Sequence, residues 1–429
     1  MKNRQALILL FSANAISGVA QGISMLAIPW YFARTGDTGR FALMYVLTNV
    51  LSFFWVPYAG TLIDRFNRKY LFMALTAVSA ILLFSVAGFG FSRDGLPWYV
   101  VAGVFTITFL NYNLHFPTLY TFVQEITEQR HYSWITSVIE VMNQVTSMLA
   151  GAGAAILLEG TRSGRLNIFG FQVETGWEIE PWTIYEIFAL DGSTYVLSFL
   201  IIALIRFVPL AERQAETGSV FRRLRVGFDW LRGHPNIFLF GVASYSIFAT
   251  VLIVVFYLGA KYVSDHLQLG GDVYAASEMY FALGSILAGI AVQRLFQWTN
   301  RPVAIIINTL LAGVIFAVLA LTKGGFIFYL MLFLLGYSNA GTRVLRTTYL
   351  FNHVPNQVFG RAGSIFFLTN IIFRTAFLLL FALPFFQRDN HVIYSMALLS
   401  AFLFLAAAVL IRYYPRLVSK KHELPLAPE

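Results

Sequence analysis

The sequence predicts an all-α polytopic membrane protein, with twelve transmembrane helices forming two pseudo-symmetric six-helix bundles. Three observations predict it: the balance of apolar to charged residues, a series of long apolar stretches, and a set of residues that recurs at a nearly constant offset. Of 429 residues, 58% are hydrophobic and only 12% are charged. Mean hydropathy is +0.68. A soluble domain carries about 25% charged residues, and half of that cannot cover the surface of a soluble chain this long. The 42 Phe and 13 Pro exclude a disordered or fibrous chain. There is no Cys, which excludes disulfides, thiolate metal sites and Cys nucleophiles.

Each apolar stretch is close to the roughly 20 residues that cross a bilayer as a helix. The stretches begin near Ala6, Phe41, Tyr70, Trp98, Trp134, Phe188, Ile237, Ala275, Val303, Phe326, Gly363 and Ile393. None shows the strict alternation of a barrel strand. The first is too long for a signal peptide and lacks its cleavage site. An even number of spans puts both termini on one side. Of the 30 Lys and Arg, 21 lie at the termini and in the even-to-odd loops, eight lie in the opposite loops, and Arg374 lies inside a span. Basic residues mark the cytoplasmic side, so both termini are expected in the cytoplasm and the chain in a bacterial inner membrane. The net charge of +9 is then a topology signal, and nucleic acid is not an expected partner.

The longest basic loop follows span six and divides the chain. The expected organisation is a bundle over 1–209 with an outer loop at 159–187, a cytoplasmic linker at 210–235, and a second bundle over 236–429. The halves echo each other. Gly60-x-x-x-Asp64-Arg65 after span two recurs as Gly289-x-x-x-Gln293-Arg294 after span eight, and Asn111 in span four recurs as Asn339 in span ten. Gln124-Glu125-Ile126-Thr127 then lies over Asn352-His353-Val354-Pro355. Paired repeats in a polytopic protein point to alternating access around a central site.

Gly60-Thr-Leu-Ile-Asp64-Arg65-Phe-Asn-Arg68-Lys69 sits between spans two and three. It resembles the signature loop of the major facilitator superfamily. Phe116-Pro117-Thr118, the turn at Glu125, Asp191 at the opening of span six, and the segment from Phe221 through Gly227, Trp230 and Arg232 to Pro235 resemble the macrolide-efflux and enterobactin-exporter branch. The resemblance covers nearly the whole chain. It implies a rocker-switch transporter in which Gly60, Asp64, Arg65 and Arg68 form a conformational latch between the halves. The antiporter motif of span five departs from the pattern: Gly151-Ala152-Gly153 keeps the small residues but lacks the Pro. Independently of the family, Arg65, Arg68 and Lys69 are expected to face the anionic leaflet, with Asp64 pairing among them.

Polar side chains inside spans are costly and usually face a cavity. Span one carries Asn14, Ser17, Gln21 and Ser24 along one helical stripe, and span four carries Asn111 and His115 at i, i+4. His115 titrates near neutrality and is a candidate proton carrier; the alternative is a satisfied buried histidine. In span five, Glu140, Asn143, Gln144 and Ser147 share a face. Desolvation at that depth favours the neutral acid, which makes Glu140 the leading proton-coupling residue. The alternative is a fixed pin between spans five and eight. Asp191 and Glu278 are expected near the outer ends of their spans, within reach of water. In the second half, Tyr245, Tyr337, Asn339, Asn370 and Arg374 are candidate cavity residues, and Arg374 needs an anionic partner because it cannot shed its proton. Arg343 and Arg346 are expected to snorkel to the cytoplasmic surface. The outer loop reads as a surface cap or a charged gate.

There is no Walker loop, no His-x-x-x-His pair and no nucleophile elbow, so neither ATP-driven work nor enzyme chemistry is expected. No cofactor and no metal site is expected. The residues lead to a proton-coupled antiporter that effluxes an amphiphilic small molecule, drug-like or siderophore-like, acting as a monomer in the bilayer. The alternatives are an importer or metal–siderophore carrier, and a lipid flippase on the same fold.

Overall fold

A computed structural model describes residues 3–128, 131–161, 165–168, 171–174, 178–208, 220–296, 299–388 and 390–418; at some positions, Gly60 and Asp64 among them, it describes the backbone alone. The first six spans are α1 (Arg4–Arg34), α2 (Thr38–Arg65), α3 (Arg68–Arg93), α4 (Trp98–Ile126), α5 (Tyr132–Glu159) and α6 (Ile184–Ala203). An amphipathic helix, α7 (Val220–Gly233), precedes span seven. That span starts as α8 (Pro235–Ile253) and runs on through π-helical turns at 254–258 and 262–267 that flank the short α9 (Gly259–Lys261). Then come α10 (Gly271–Leu295), α11 (Arg301–Leu321), α12 (Gly325–His353), α13 (Asn356–Phe381), the short α14 (Pro384–Gln387) and α15 (Val392–Val418).

Among the described residues, 11 helices are long and apolar enough to cross a membrane. The remaining span, α4, has 29 residues but carries Asn111, Asn113, His115 and Gln124. The helices α4 and α12, matched by the sequence repeat, each have 29 residues. The basic residues need two corrections. Lys261 and Arg346, read from the sequence as loop or snorkelling residues, lie inside helical runs with 2% and 5% of their surfaces exposed.

The chain packs as two units. The first is Met1–Thr217 with Gly259–Ser264 and Gln268–Met279; the second is Gly218–Leu258, Asp265–Leu267 and Tyr280–Glu429. In the first, α3 lies along α6, α1 packs on both α5 and α6, and α2 packs on α4. Leu7, Leu10, Phe72, Leu119, Phe122, Ile139 and Ile202 fill one core cluster. The α1–α5 contact depends on small residues. A Cβ on Gly22 would lie 2.5 Å from Ala150 Cβ, and one on Gly153 would lie 2.8 Å from Ile23 Cδ1. In lipid, such close approach supplies the packing energy that the hydrophobic effect cannot.

In the second unit, α11 lies along α15 and against α12, while α8 packs on α15 and α13. Gly284 on α10 and Gly336 on α12 face the carbonyls of Phe333 and Phe281, where a Cβ would collide with backbone. Helix α7 packs on α13. Its Leu231 is buried in a cluster with Ile237, Phe240, Tyr349 and Phe366, and Gly227 meets the Arg361 backbone.

The outer loop contains a hairpin that the charge count did not suggest: β1 (Arg165–Ile168) pairs antiparallel with β2 (Phe171–Glu174). Its register sets Leu166 opposite Val173 and Ile168 opposite Phe171. Glu159, read as part of a surface cap, is fixed. Its Oε1 accepts from Trp30 Nε1 at 3.2 Å and from the Gly271 backbone N–H at 2.9 Å, placing a carboxylate at the start of α10.

Candidate functional site

The turn between α2 and α3 is built by its own polar residues. Asn67 caps α3, its side chain accepting from Lys69 N at 3.0 Å. Arg68 Nη1 lies 3.1 Å from Glu125 Oε2, with side-chain exposures of 13% and 5%. Lys69 Nζ donates to the Ala203 carbonyl at 2.9 Å and the Ile205 carbonyl at 2.8 Å, closing the C-terminus of α6. These contacts correct the expectation that Arg68 and Lys69 face the leaflet: unsatisfied partners within the protein capture both. Arg65 alone of the three is exposed. The Asp64 side chain and the surroundings of Gly60 lie outside the described residues.

The stripes on α1 and α4 meet. His115 Nε2 hydrogen-bonds to Asn14 Oδ1 at 2.7 Å, both residues are buried, and the ring packs on Phe72 and Phe116. This pair closes part of the surface that the sequence assigned to a cavity. Asn111 Nδ2 donates to Ser79 Oγ on α3 at 2.7 Å, while its Oδ1 is buried without a partner. Gln21, Asn143 and Gln144 are half-buried.

Three carboxylates of the first unit lie well away from the ends of their helices. Glu140 is half-buried and accepts from Tyr120 Oη at 2.9 Å. Glu278 is also half-buried, beside Ser147 of α5. The contact expected of Glu140 with span eight thus has a counterpart in Glu278 and span five. Asp191 is 0% exposed, and neither of its carboxylate oxygens has a hydrogen-bond partner. Its polar neighbours are Ser24 on α1 and Tyr195 on α6.

The expectation that water reaches Asp191 is therefore overturned. The helix begins a turn earlier than the apolar stretch, because Glu186 Oε2 accepts from Thr183 N at 2.7 Å and Thr183 Oγ1 at 2.8 Å. Asp191 is carried inward to the packed faces of α1 and α3.

In the second unit, Arg374 is 1% exposed, and Asn370, one turn away on α13, is also 1% exposed. Asn370 Nδ2 donates to the Tyr245 carbonyl at 3.3 Å. Tyr337 and Asn339 are half-buried on α12. Sequence reasoning missed the residue that completes this group. Arg346 Nη1 donates to the Ser244 carbonyl at 3.0 Å, and its guanidinium carbon lies 3.5 Å from the centre of the Tyr245 ring. Among the described residues, no group of three or more His, Asp and Glu is arranged to hold a metal ion.

Helical spans that carry buried polar groups of this kind are those of a polytopic membrane protein. The sequence matches the model of the Major Facilitator Superfamily over residues 10–374, and the chain belongs to that family. Solved structures of similar fold include a mutant of the nucleoside transporter NupG, with a TM-score of 0.73 and 11% identity, covering 95% of this chain and 100% of that one. A bacterial homologue of the iron transporter ferroportin in the inward-facing state has a TM-score of 0.68 and 14% identity, covering 95% and 98%. A D-xylose–proton symporter has a TM-score of 0.68 and 13% identity, covering 96% and 98%. Among curated proteins, no sequence match reaches significance.

Proposed function

We propose that the chain is a proton-coupled secondary transporter that exports an amphiphilic small molecule by alternating access, with both termini in the cytoplasm of a bacterial cell. One observation carries the proton coupling: Asp191 is wholly buried in a membrane span, in no ion pair, with only the neutral side chains of Ser24 and Tyr195 as polar neighbours. Burying an isolated carboxylate costs several kcal/mol or more unless a proton or cation neutralises it. A group that must be neutral when closed off, and ionises when opened to water, couples proton movement to conformational change. Glu140, held by Tyr120, is the second proton-handling group, and His115, held by Asn14, is the third. Gly60, Asp64, Arg65 and Arg68 act as the latch. Resemblance to the macrolide-efflux and enterobactin-exporter branch supports export of a drug-like or siderophore-like molecule.

A thermal-shift screen of the purified chain against drugs, siderophores, metals and lysolipids finds the substrate. Transport of the stabilising compound in proteoliposomes is then measured with and without an imposed pH gradient. Uptake that is indifferent to collapse of that gradient would refute proton coupling.

A further inference from the structure

The second unit is short of negative charge. From Tyr280 to Val418 the sequence contains one acidic residue, Asp389, which is outside the described residues. Elsewhere in the unit, Asp229 lies on α7 near Arg225, at 3.9 Å, Asp265 falls in the π-helical turn that ends span seven, and Glu423 and Glu429 fall outside the described residues. Ion pairs among the described residues include Arg40–Asp37, Arg68–Glu125 and Arg225–Asp229; Arg346 is in none. Yet Arg346 is only 5% exposed, and its Nε is buried with no acceptor.

What holds Arg346 is neutral: one carbonyl, Ser244 O, and the face of the Tyr245 ring. Arg343, one turn back on α12, adds a second positive charge rather than relieving the first. A guanidinium stays protonated at any physiological pH, so the charge persists. A buried cation without an anion is strongly unfavourable, and a bidentate oxyanion is the partner whose geometry best matches a guanidinium edge. Asn370 meets the same residue from its backbone side: it donates to the Tyr245 carbonyl and keeps a buried Oδ1 without a partner. That oxygen accepts a hydroxyl or amide hydrogen.

We propose that Arg346, stacked on Tyr245 and flanked by Asn370, is a binding site for the anionic group of an organic anion: a carboxylate, sulfonate or phosphate attached to an aromatic or otherwise apolar body. The guanidinium takes the oxyanion, the Tyr245 ring holds the cation in place and offers an aromatic edge to the ligand, and Asn370 reads a neighbouring donor. As a statement about substrate, it rests on the transport reading above; as a statement about binding, it does not.

The test uses matched probes on the purified full-length protein: 1-naphthoate against 1-naphthamide, and 1-naphthyl phosphate against 1-naphthol. Isothermal titration gives each dissociation constant. A charge-assisted pair predicts that at least one anion binds on the order of tenfold tighter than its neutral partner. Arg346→Gln abolishes that preference and leaves the neutral probes unchanged. Arg346→Lys, which keeps the charge but loses the fork, retains part of it and covers the case in which the Gln variant does not fold. Equal binding of charged and neutral probes, no binding of either anion, or full preference in a folded Arg346 variant each overturns the site. Anion binding at Arg346 without proton-driven transport keeps the site and refutes only the coupling.

Discussion

Arg68 Nη1 sits 3.1 Å from Glu125 Oε2, so the turn between α2 and α3 is tied by a buried ion pair to the last turn of α4. Removing one partner from such a pair leaves the other charge buried and costs about 3 kcal/mol. Arg68→Ala and Glu125→Ala should each lower the thermal unfolding midpoint, and the double variant should lose less than the sum of the two. Strict additivity in that cycle would show that the pair does not couple.

Asp64 stands four residues before Arg68, at the end of α2. As part of a latch, it should govern the balance of conformations rather than insertion. Asp64→Asn should insert normally and change the distance distribution between spin labels placed at Arg34 and Lys323, one in each half. An unchanged distribution together with full transport would reduce Asp64 to a surface charge.

The α1–α5 contact predicts a steric effect. Gly22→Val places branched carbon where a single Cβ already lies 2.5 Å from Ala150. Overpacking of this kind typically costs about 1–3 kcal/mol. The variant should melt lower, and Ala150→Gly in the same chain should recover part of the loss. A melting point equal to that of the parent would contradict the packing.

Much of this is legible in the sequence. Twelve apolar stretches of near-bilayer length identify the spans, because nothing else in a chain this apolar satisfies its backbone in lipid. The signature segment identifies the turn that Arg68 and Lys69 stabilise. Depth is less legible. Asp191 looks terminal when span six is read from its first apolar run, whereas the Thr183–Glu186 capping box starts the helix earlier. Arg346 looks like a snorkelling residue because it is near the end of span ten. Helix α12 continues to His353, and the Tyr245 ring and Ser244 carbonyl hold the guanidinium inside. Side-chain reach can be read from a sequence, but what it finds cannot. The hairpin does leave a signal, the alternating Arg-Leu-Asn-Ile and Phe-Gln-Val-Glu segments, which a net-charge reading of the loop ignores.

The basic-residue bias predicts orientation. A reporter fused after Glu429 should read cytoplasmic, and one inserted near Gly176 should read external. The opposite pattern would invert the proposed direction of transport as well as the topology.

We propose that carboxylates inside the spans of the first unit, Asp191 and Glu140, carry the coupling proton. The most direct measurement is substrate-induced proton movement in everted vesicles, followed with a pH-sensitive dye, for the parent, Glu140→Gln and Asp191→Asn. Both substitutions keep side-chain shape while fixing a neutral group. Substrate addition should move protons in the parent, Asp191→Asn should abolish the signal while substrate binding persists, and Glu140→Gln should abolish uphill transport but spare downhill exchange. Parental proton movement in both variants would contradict it.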